Sequence, residues 1–268
     1  NIGRLVPQVV YYVYAYAKLL ENEEIENGEE INVTVPTGNF GNILAAYYAK
    51  QMGVPIAKLI CASNENKVLF DFFKTGKYDR NREFVLTSSP SMDILISSNL
   101  ERLIYTIAGQ DAKKNSELME ALKIDGVYEI TPEMKEKLSD FEGGYSTEEE
   151  TKETIGGTYK STGYVMDTHT AVAAHVSRAY RDASKDQKKM LVASTASPYK
   201  FARSVMTAID EKYDELEEFA LIDELEKVSG VAIPNAIEEI RNAQIRHTKE
   251  CDVDKMKEAV KEILGVEE

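Results

Sequence analysis

Hydrophobic and polar positions along the chain fall into two repeating periods. Ile31-Asn32-Val33-Thr34-Val35-Pro36 alternate and are rich in β-branched side chains, which predicts a strand. Residues 43–52 return Ile43, Leu44, Tyr47, Tyr48 and Met52 to one side of a helix. Residues 58–63 read as a second, buried strand, and 64–74 as a helix with Val68, Leu69, Phe72 and Phe73 inward. Strand, helix and strand with links this short predict a right-handed parallel crossover. Further along, 83–87 reads as a short strand, 88–93 as a Pro-containing turn and 97–108 as an amphipathic helix opening at a Ser cap. Ahead of all these, residues 5–20 are apolar on nearly every side, which predicts burial against a sheet or in a subunit contact.

From 110 to 160 the character changes. Charged, Gly-interrupted helical patterns over 115–123, 132–141 and 147–160 replace strands. A helix with an Asp/Thr start follows over 167–181, then an apolar strand over 190–194 and a helix over 198–209 with Pro198 in its first turn. Short charged helices broken at Gly230 and Pro234 fill 214–264. The expected fold class is α/β, an open and mostly parallel sheet with helices on both faces plus a helical subdomain. The expected divisions are a core with the ligand loop over 1–109, a helical insertion over 110–160, a return to the sheet over 161–210 and a C-terminal helical region over 211–268.

Charge narrows the partners. Against 46 acidic residues the chain has 32 Lys and Arg, a net charge of −14, with no basic stripe, so a nucleic-acid role is not expected. An anionic ligand would need a local positive pocket inside this negative field. Cys61 lies in an apolar run and Cys251 in a polar helix, without metal-ligand spacing, so no metal is expected. Two free thiols, with no secretory signal and no run of apolar residues long enough to span a membrane, predict a cytoplasmic protein without membrane partners.

The candidate chemistry starts at Thr37-Gly38-Asn39-Phe40-Gly41-Asn42, between the first strand and the next helix. Backbone N–H groups converge at such a junction without acceptors, and the helix dipole favours an anion there. Gly38 and Gly41 are expected to supply positive φ and close approach, and Asn42 a helix cap. The spacing fits neither the dinucleotide fingerprint nor the triphosphate loop, so a single phosphate on a cofactor is the better match. On spacing alone, a phosphate cradle and a plain structural turn both remain open.

The wording of the loop carries further. Val35-Pro36-Thr37-Gly38-Asn39-Phe40-Gly41-Asn42, followed by an Ala/Tyr-rich helix and Gly53-Val54-Pro55-Ile56, resembles threonine synthase, a pyridoxal-phosphate enzyme of the tryptophan-synthase β-like fold. The resemblance continues through Leu5-Val6-Pro7-Gln8, Ile60-Cys61-Ala62-Ser63-Asn64, Ser89-Pro90-Ser91-Met92-Asp93, Ser97-Ser98-Asn99-Leu100-Glu101-Arg102 and Gly163-Tyr164-Val165-Met166-Asp167-Thr168-His169-Thr170-Ala171. Its last block is Ser194-Thr195-Ala196-Ser197-Pro198-Tyr199-Lys200-Phe201, where Ser197 stands in place of the commoner His.

The resemblance implies pyridoxal 5'-phosphate as cofactor, held at its phosphate by Gly38, Asn39, Phe40, Gly41 and Asn42 and met at its ring nitrogen by Thr195. The alternative for Thr195 is a cap on the following helix. The implied activity is a carbon–oxygen lyase acting on phosphate, converting O-phospho-L-homoserine and water to L-threonine and phosphate in threonine biosynthesis from aspartate. The Phe-Lys-Asp block that carries the family's Schiff-base lysine is not found, and Ser184-Lys185-Asp186 sits in a polar, solvated run unsuited to such a lysine. With Asn1-Ile2-Gly3 opening the chain, this predicts the C-terminal portion of a threonine synthase that is inactive without its N-terminal portion. The competing expectation is a non-catalytic module of the same fold that binds phosphate ligands. A generic hydrolase or dehydrogenase lacks its signature loop. His169 either lines the cleft or packs; Ser91, Asp93, Ser97, Ser98 and Asn99 either face substrate or cap turns.

Overall fold

The computed structural model describes residues 2–266. In chain order the strands are β1 (Ile31–Pro36), β2 (Ile56–Ser63), β3 (Lys77–Asp79), β4 (Val127–Glu129), β5 (Phe141–Tyr145) and β6 (Met190–Val192). Four of them form one sheet in the order β5-β2-β1-β6, every pair parallel. The remaining two, β3 and β4, pair antiparallel as a separate ribbon.

Residues of β2 show how the sheet is covered. Leu59 and Cys61 join the core formed with the helices Gly41–Gln51, Val68–Thr75 and Leu100–Ile107. Ile60 and Ala62 point the other way, against Val172, Ala173 and Val176 of the helix Thr168–Ser184. Period-two alternation thus buries both faces, as expected of a parallel sheet between helical layers. The same coverage explains β1, which alternates in sequence yet is buried at all six positions. Its polar residues are satisfied rather than solvated. Asn32 Nδ2 donates to Asp186 Oδ2 (2.8 Å) while its Oδ1 accepts from the Lys58 amide (3.1 Å).

Several local expectations are revised, among them the Ser cap at 97, since that helix starts at Leu100 after Asn99 without a side-chain cap. Residues 83–87 form no strand, because the side chain of Asn66 takes the partner's place, donating to Val85 O (2.8 Å) and accepting from Val85 N (2.9 Å). The expected helix over 132–141 ends at Glu136, and Phe141 opens β5. Glycines set that strand's position. A Cβ on Gly143 would lie 3.2 Å from Phe70 Cα, and one on Gly144 2.4 Å from Val176 Cγ1, so the two let this edge strand fit between flanking helices. Residues 5–20 are not buried all round. Pro7 lies in a 3₁₀ turn before the helix Val9–Glu21, which buries Val9, Tyr12 and Tyr16 and leaves Val10, Tyr11, Val13 and Tyr14 exposed. Met52 caps the C-terminus of its helix and is exposed instead of sharing the buried face.

The described chain divides into two compact units, one ending at Val231 and the other beginning at Ala232. The second holds the helices Asn235–Arg241 and Met256–Leu264, with Lys249 paired to Glu262. Everything concerning the site lies in the first unit.

Candidate functional site

Thr37 closes β1 by donating its amide to Ala62 O (2.8 Å), and the chain then turns through Gly38, Asn39 and Phe40 into the helix Gly41–Gln51. The left-handed residue in this turn is Phe40, at φ 60°, and neither Gly38 nor Gly41 takes positive φ. A non-Gly residue in that region costs about 1–2 kcal/mol. The ring compensates. It is 1% exposed and packs against Phe73 and Phe141 with centroids 6.0 and 5.9 Å away, and burying a Phe side chain is worth about 1.5–3 kcal/mol. Gly38 serves close approach instead, whereas a side chain at Gly41 would make only ordinary contact. A Cβ on Gly38 would sit 2.4 Å from the Ser91 carbonyl oxygen, and one on Gly41 3.4 Å from Asn99 Nδ2.

Asn42 is not the helix cap. Phe40 occupies that position without a side-chain bond, and the Asn42 carboxamide, inside the first turn, accepts from the Tyr12 hydroxyl. The loop's carbonyls are taken from one side. Gly38 O accepts from Ser97 Oγ (2.7 Å), and Asn39 O accepts from Asn99 N (3.1 Å) and Nδ2 (2.8 Å). The amide N–H groups of Gly38, Asn39, Phe40, Gly41 and Asn42 find no acceptor among the described residues. Five main-chain donors at the N-terminus of an eleven-residue helix, their own carbonyls already committed, suit a doubly charged phosphate.

Thr195 belongs to the turn after β6, where Ala193 donates its amide to Thr34 O (2.9 Å). Ser197, not Thr195, caps the following 3₁₀ turn by accepting from Tyr199 N (3.3 Å). The Thr195 hydroxyl is left exposed without a partner among the described residues. One cavity of about 920 Å³ is lined by residues 37–43 on one side and by Thr195 and Ala196 on another. The cradle residues and Thr195 therefore share an opening at the C-terminal ends of β1 and β6, the usual place for a ligand in an open parallel sheet.

The polar cluster divides by role. Ser91, Ser98 and Asn99 line the cavity. Asp93 accepts from Asn64, Asn66 and Thr87 and ties down residues 87–93, while Ser97 holds Gly38. His169 also lines the cavity, yet is 2% exposed. Asp167 beside it is a helix cap as well as a partner for the imidazole. Burial raises its carboxyl pKa, but hydrogen bonds from the side chains of His169 and Thr170 and from their amides outweigh that and hold it below the usual carboxylate range. Burial pushes the Cys61 thiol up to about 12, which removes it as a nucleophile.

Three cavity residues escaped the sequence reading: Arg4, Arg102 and Lys200. Arg102 donates to Asn99 Oδ1 (2.8 Å), and Lys200 Nζ stands 5.5 Å from the Phe201 ring centroid. None of the three has a carboxylate partner among the described residues, whereas many surface cations do, for example Arg82 with Asp71 and Arg203 with Glu218. Here is the local positive pocket that an acidic chain needs for an anion. The available signal was position. Arg102 and Lys200 lie inside blocks that carry the resemblance, and Arg4 immediately precedes another.

Comparison with known proteins finds likenesses to threonine synthases. A family model described as "Threonine synthase, C-terminal" matches residues 170–263. "Threonine synthase-like 1" of Pongo abelii is 47% identical over 214 residues, covering 79% of this chain and 28% of that protein. The crystal structure of threonine synthase from yeast superposes with a TM-score of 0.82 at 31% identity, covering 99% of this chain and 53% of that one. PLP-bound threonine synthase from Brucella melitensis gives a TM-score of 0.71 at 35% identity, covering 86% and 52%. The chain thus spans about half the length of the threonine synthases of known structure that it matches, and a smaller share of the threonine synthase-like relative.

Proposed function

We propose that this chain, which resembles threonine synthases in sequence and fold, forms the phosphate-holding wall of a pyridoxal-phosphate lyase that converts O-phospho-L-homoserine and water to L-threonine and phosphate. The observation that carries the reading is the set of five unpaired amides from Gly38 to Asn42 on the same cavity as the free hydroxyl of Thr195. The donor set fits the cofactor. Main-chain N–H groups of Gly38 to Asn42 would hold its phosphate, and the neutral hydroxyl of Thr195 would face its ring nitrogen without protonating it. When bound, the cofactor supplies the electron sink for carbanion chemistry.

The remaining work falls to side chains of this chain. Arg4, Arg102 and Lys200 attract and orient the anionic substrate, whose own phosphate needs a cationic subsite. Ser98 and Asn99, at the mouth of the same cavity, offer hydroxyl and amide groups for orientation. No buried lysine lines the cavity among the described residues. Lys200 is exposed, whereas a Schiff-base lysine is held in a buried pocket. The reading therefore assigns the anchoring lysine to the part of the threonine synthases that this chain does not match. By itself the chain is expected to bind the cofactor reversibly, without turnover.

Equilibrium dialysis with pyridoxal 5'-phosphate, followed by borohydride reduction, tests this. Saturable binding that dialyses away and leaves no reduced cofactor on the protein is expected. Absence of saturable binding would sink the proposed site, and cofactor fixed to the protein by borohydride would sink the assignment of the lysine. A second reading, a non-catalytic module that binds phosphate ligands, draws on the same lack of a buried lysine in the cavity. Phosphate release from O-phospho-L-homoserine, measured with the chain supplemented by the remaining half of a threonine synthase, separates the two.

A further inference from the structure

His169 has a bonding pattern that fixes its chemistry. Its Nε2 lies 3.3 Å from the Ser91 amide nitrogen and accepts that N–H, so Nε2 carries no proton. On the other side of the ring, Nδ1 lies 3.3 Å from Asp167 Oδ1 and 3.4 Å from Thr168 Oγ1. Asp167 is held in turn by the amides of His169 (2.9 Å) and Thr170 (3.3 Å) and by the Thr170 hydroxyl, which also touches Ser194 Oγ at 3.1 Å. The imidazole packs on Phe201 with ring centroids 4.8 Å apart. A ring fixed on every side, with its cavity-side nitrogen already accepting a main-chain proton, is poorly placed to donate one to a substrate.

Its partner occupies a telling position. Ser91 lies in the 3₁₀ turn Pro90–Met92, and the Ser91 carbonyl fills the space a Cβ on Gly38 would need. The flanks of this turn are tied elsewhere: Ser88 N to Glu148 Oε2 (2.9 Å), Ser89 Oγ to Asn64 Nδ2 (3.1 Å), and Asp93 to Asn64, Asn66 and Thr87. At the crest of the turn, the Ser91 amide is held by His169.

We propose that His169 is a positioning residue: in its Nδ1–H form, braced by Asp167, it holds the Ser91 turn against Gly38 and so keeps the phosphate loop in its binding shape. The line of contact runs Asp167, His169, Ser91, Gly38. For its effect on ligand this rests on the cofactor reading above; for its effect on the turn it does not. The pair superficially resembles an acid–base dyad, but the imidazole acts here through a backbone amide.

The test uses the whole chain and two variants. His169→Leu removes the acceptor, and His169→Gln keeps an acceptor oxygen near the place of Nε2. Histidine ¹⁵N shifts of the parent should report an unprotonated Nε2 and a protonated Nδ1, and hydrogen exchange should find the Ser91 amide protected. In H169L that protection should fall and the Kd for pyridoxal 5'-phosphate should rise about tenfold, the scale of one lost hydrogen bond. H169Q should restore both to within about twofold of the parent, which a merely space-filling role would not produce. A protonated Nε2 in the parent, Ser91 exchange unchanged in H169L, or an H169Q as impaired as H169L would each overturn the proposal. If the parent fails to bind pyridoxal 5'-phosphate, the cofactor reading falls, and the tautomer and the Ser91 exchange still decide the role of His169.

Discussion

The two walls of the cavity are built by opposite means. Residues 37–42 are held from several directions: Phe40 is sunk among aromatic rings, Gly38 lies against Ser91, and Ser97 and Asn99 take the loop's carbonyls. Thr195 sits on a short exposed turn after a three-residue strand, with its hydroxyl unengaged. The contrast follows from what each wall must do. On the proposed reading, several main-chain donors would point at one phosphate together, and their directions are set only by fixing the backbone between them. A single hydroxyl carries one hydrogen bond and can find its direction by rotating.

That contrast predicts a steep ranking of substitutions. The largest effect is expected from Gly38→Ala. Its new methyl meets a carbonyl at 2.4 Å that a tethered turn cannot easily withdraw. A loss of about 3 kcal/mol, or roughly a hundredfold in affinity for pyridoxal 5'-phosphate, should appear in titration. Binding within about twofold of the parent would show that the wall is less rigid than described. Next comes Phe40→Ala, which empties a ring site in the core while the residue keeps its left-handed backbone. Urea unfolding should show a loss of about 3 kcal/mol. Phe40→Gly sharpens the point, since it also relieves the φ strain and should recover about 1 kcal/mol of that loss if the strain is real.

The smallest effect belongs to the other wall. Thr195→Val keeps the shape and removes the hydroxyl from an exposed turn. Stability should stay within about 0.5 kcal/mol of the parent, while cofactor affinity falls about threefold to tenfold through one lost hydrogen bond. A stability loss comparable to that of Phe40→Ala would erase the distinction between the walls.

Much of this arrangement was legible in the sequence, and the parts that were not share a cause. The crossover from β1 to β2, the glycine loop between them and Thr195 at the end of β6 follow from period, turn chemistry and resemblance to a family. The left-handed backbone of Phe40 has no local signal, because the packing that offsets its strain comes from Phe73 and Phe141, which lie far along the chain. Residues 83–87 have the composition of a strand, and only the Asn66 side chain settles their pairing otherwise. Gly143 and Gly144 interrupt what reads as a helical region, and their meaning is spatial, since they make room for Phe70 and Val176. Arg4, Arg102 and Lys200 are ordinary surface cations in sequence, and what distinguishes them is the cavity that the fold brings them to share. In each case a local pattern was decided by a neighbour distant in the chain.

The aromatic rings behind the loop carry a consequence of their own. Phe73 and Phe141 stack at 5.4 Å and 12° between planes, and both meet Phe40, so the ring behind the loop is continuous with one on an edge strand of the sheet. On the proposed reading, a substitution at that edge would arrive at the ligand as a tilt of main-chain donors, and affinity would be adjusted by repacking hydrocarbon that the ligand never meets.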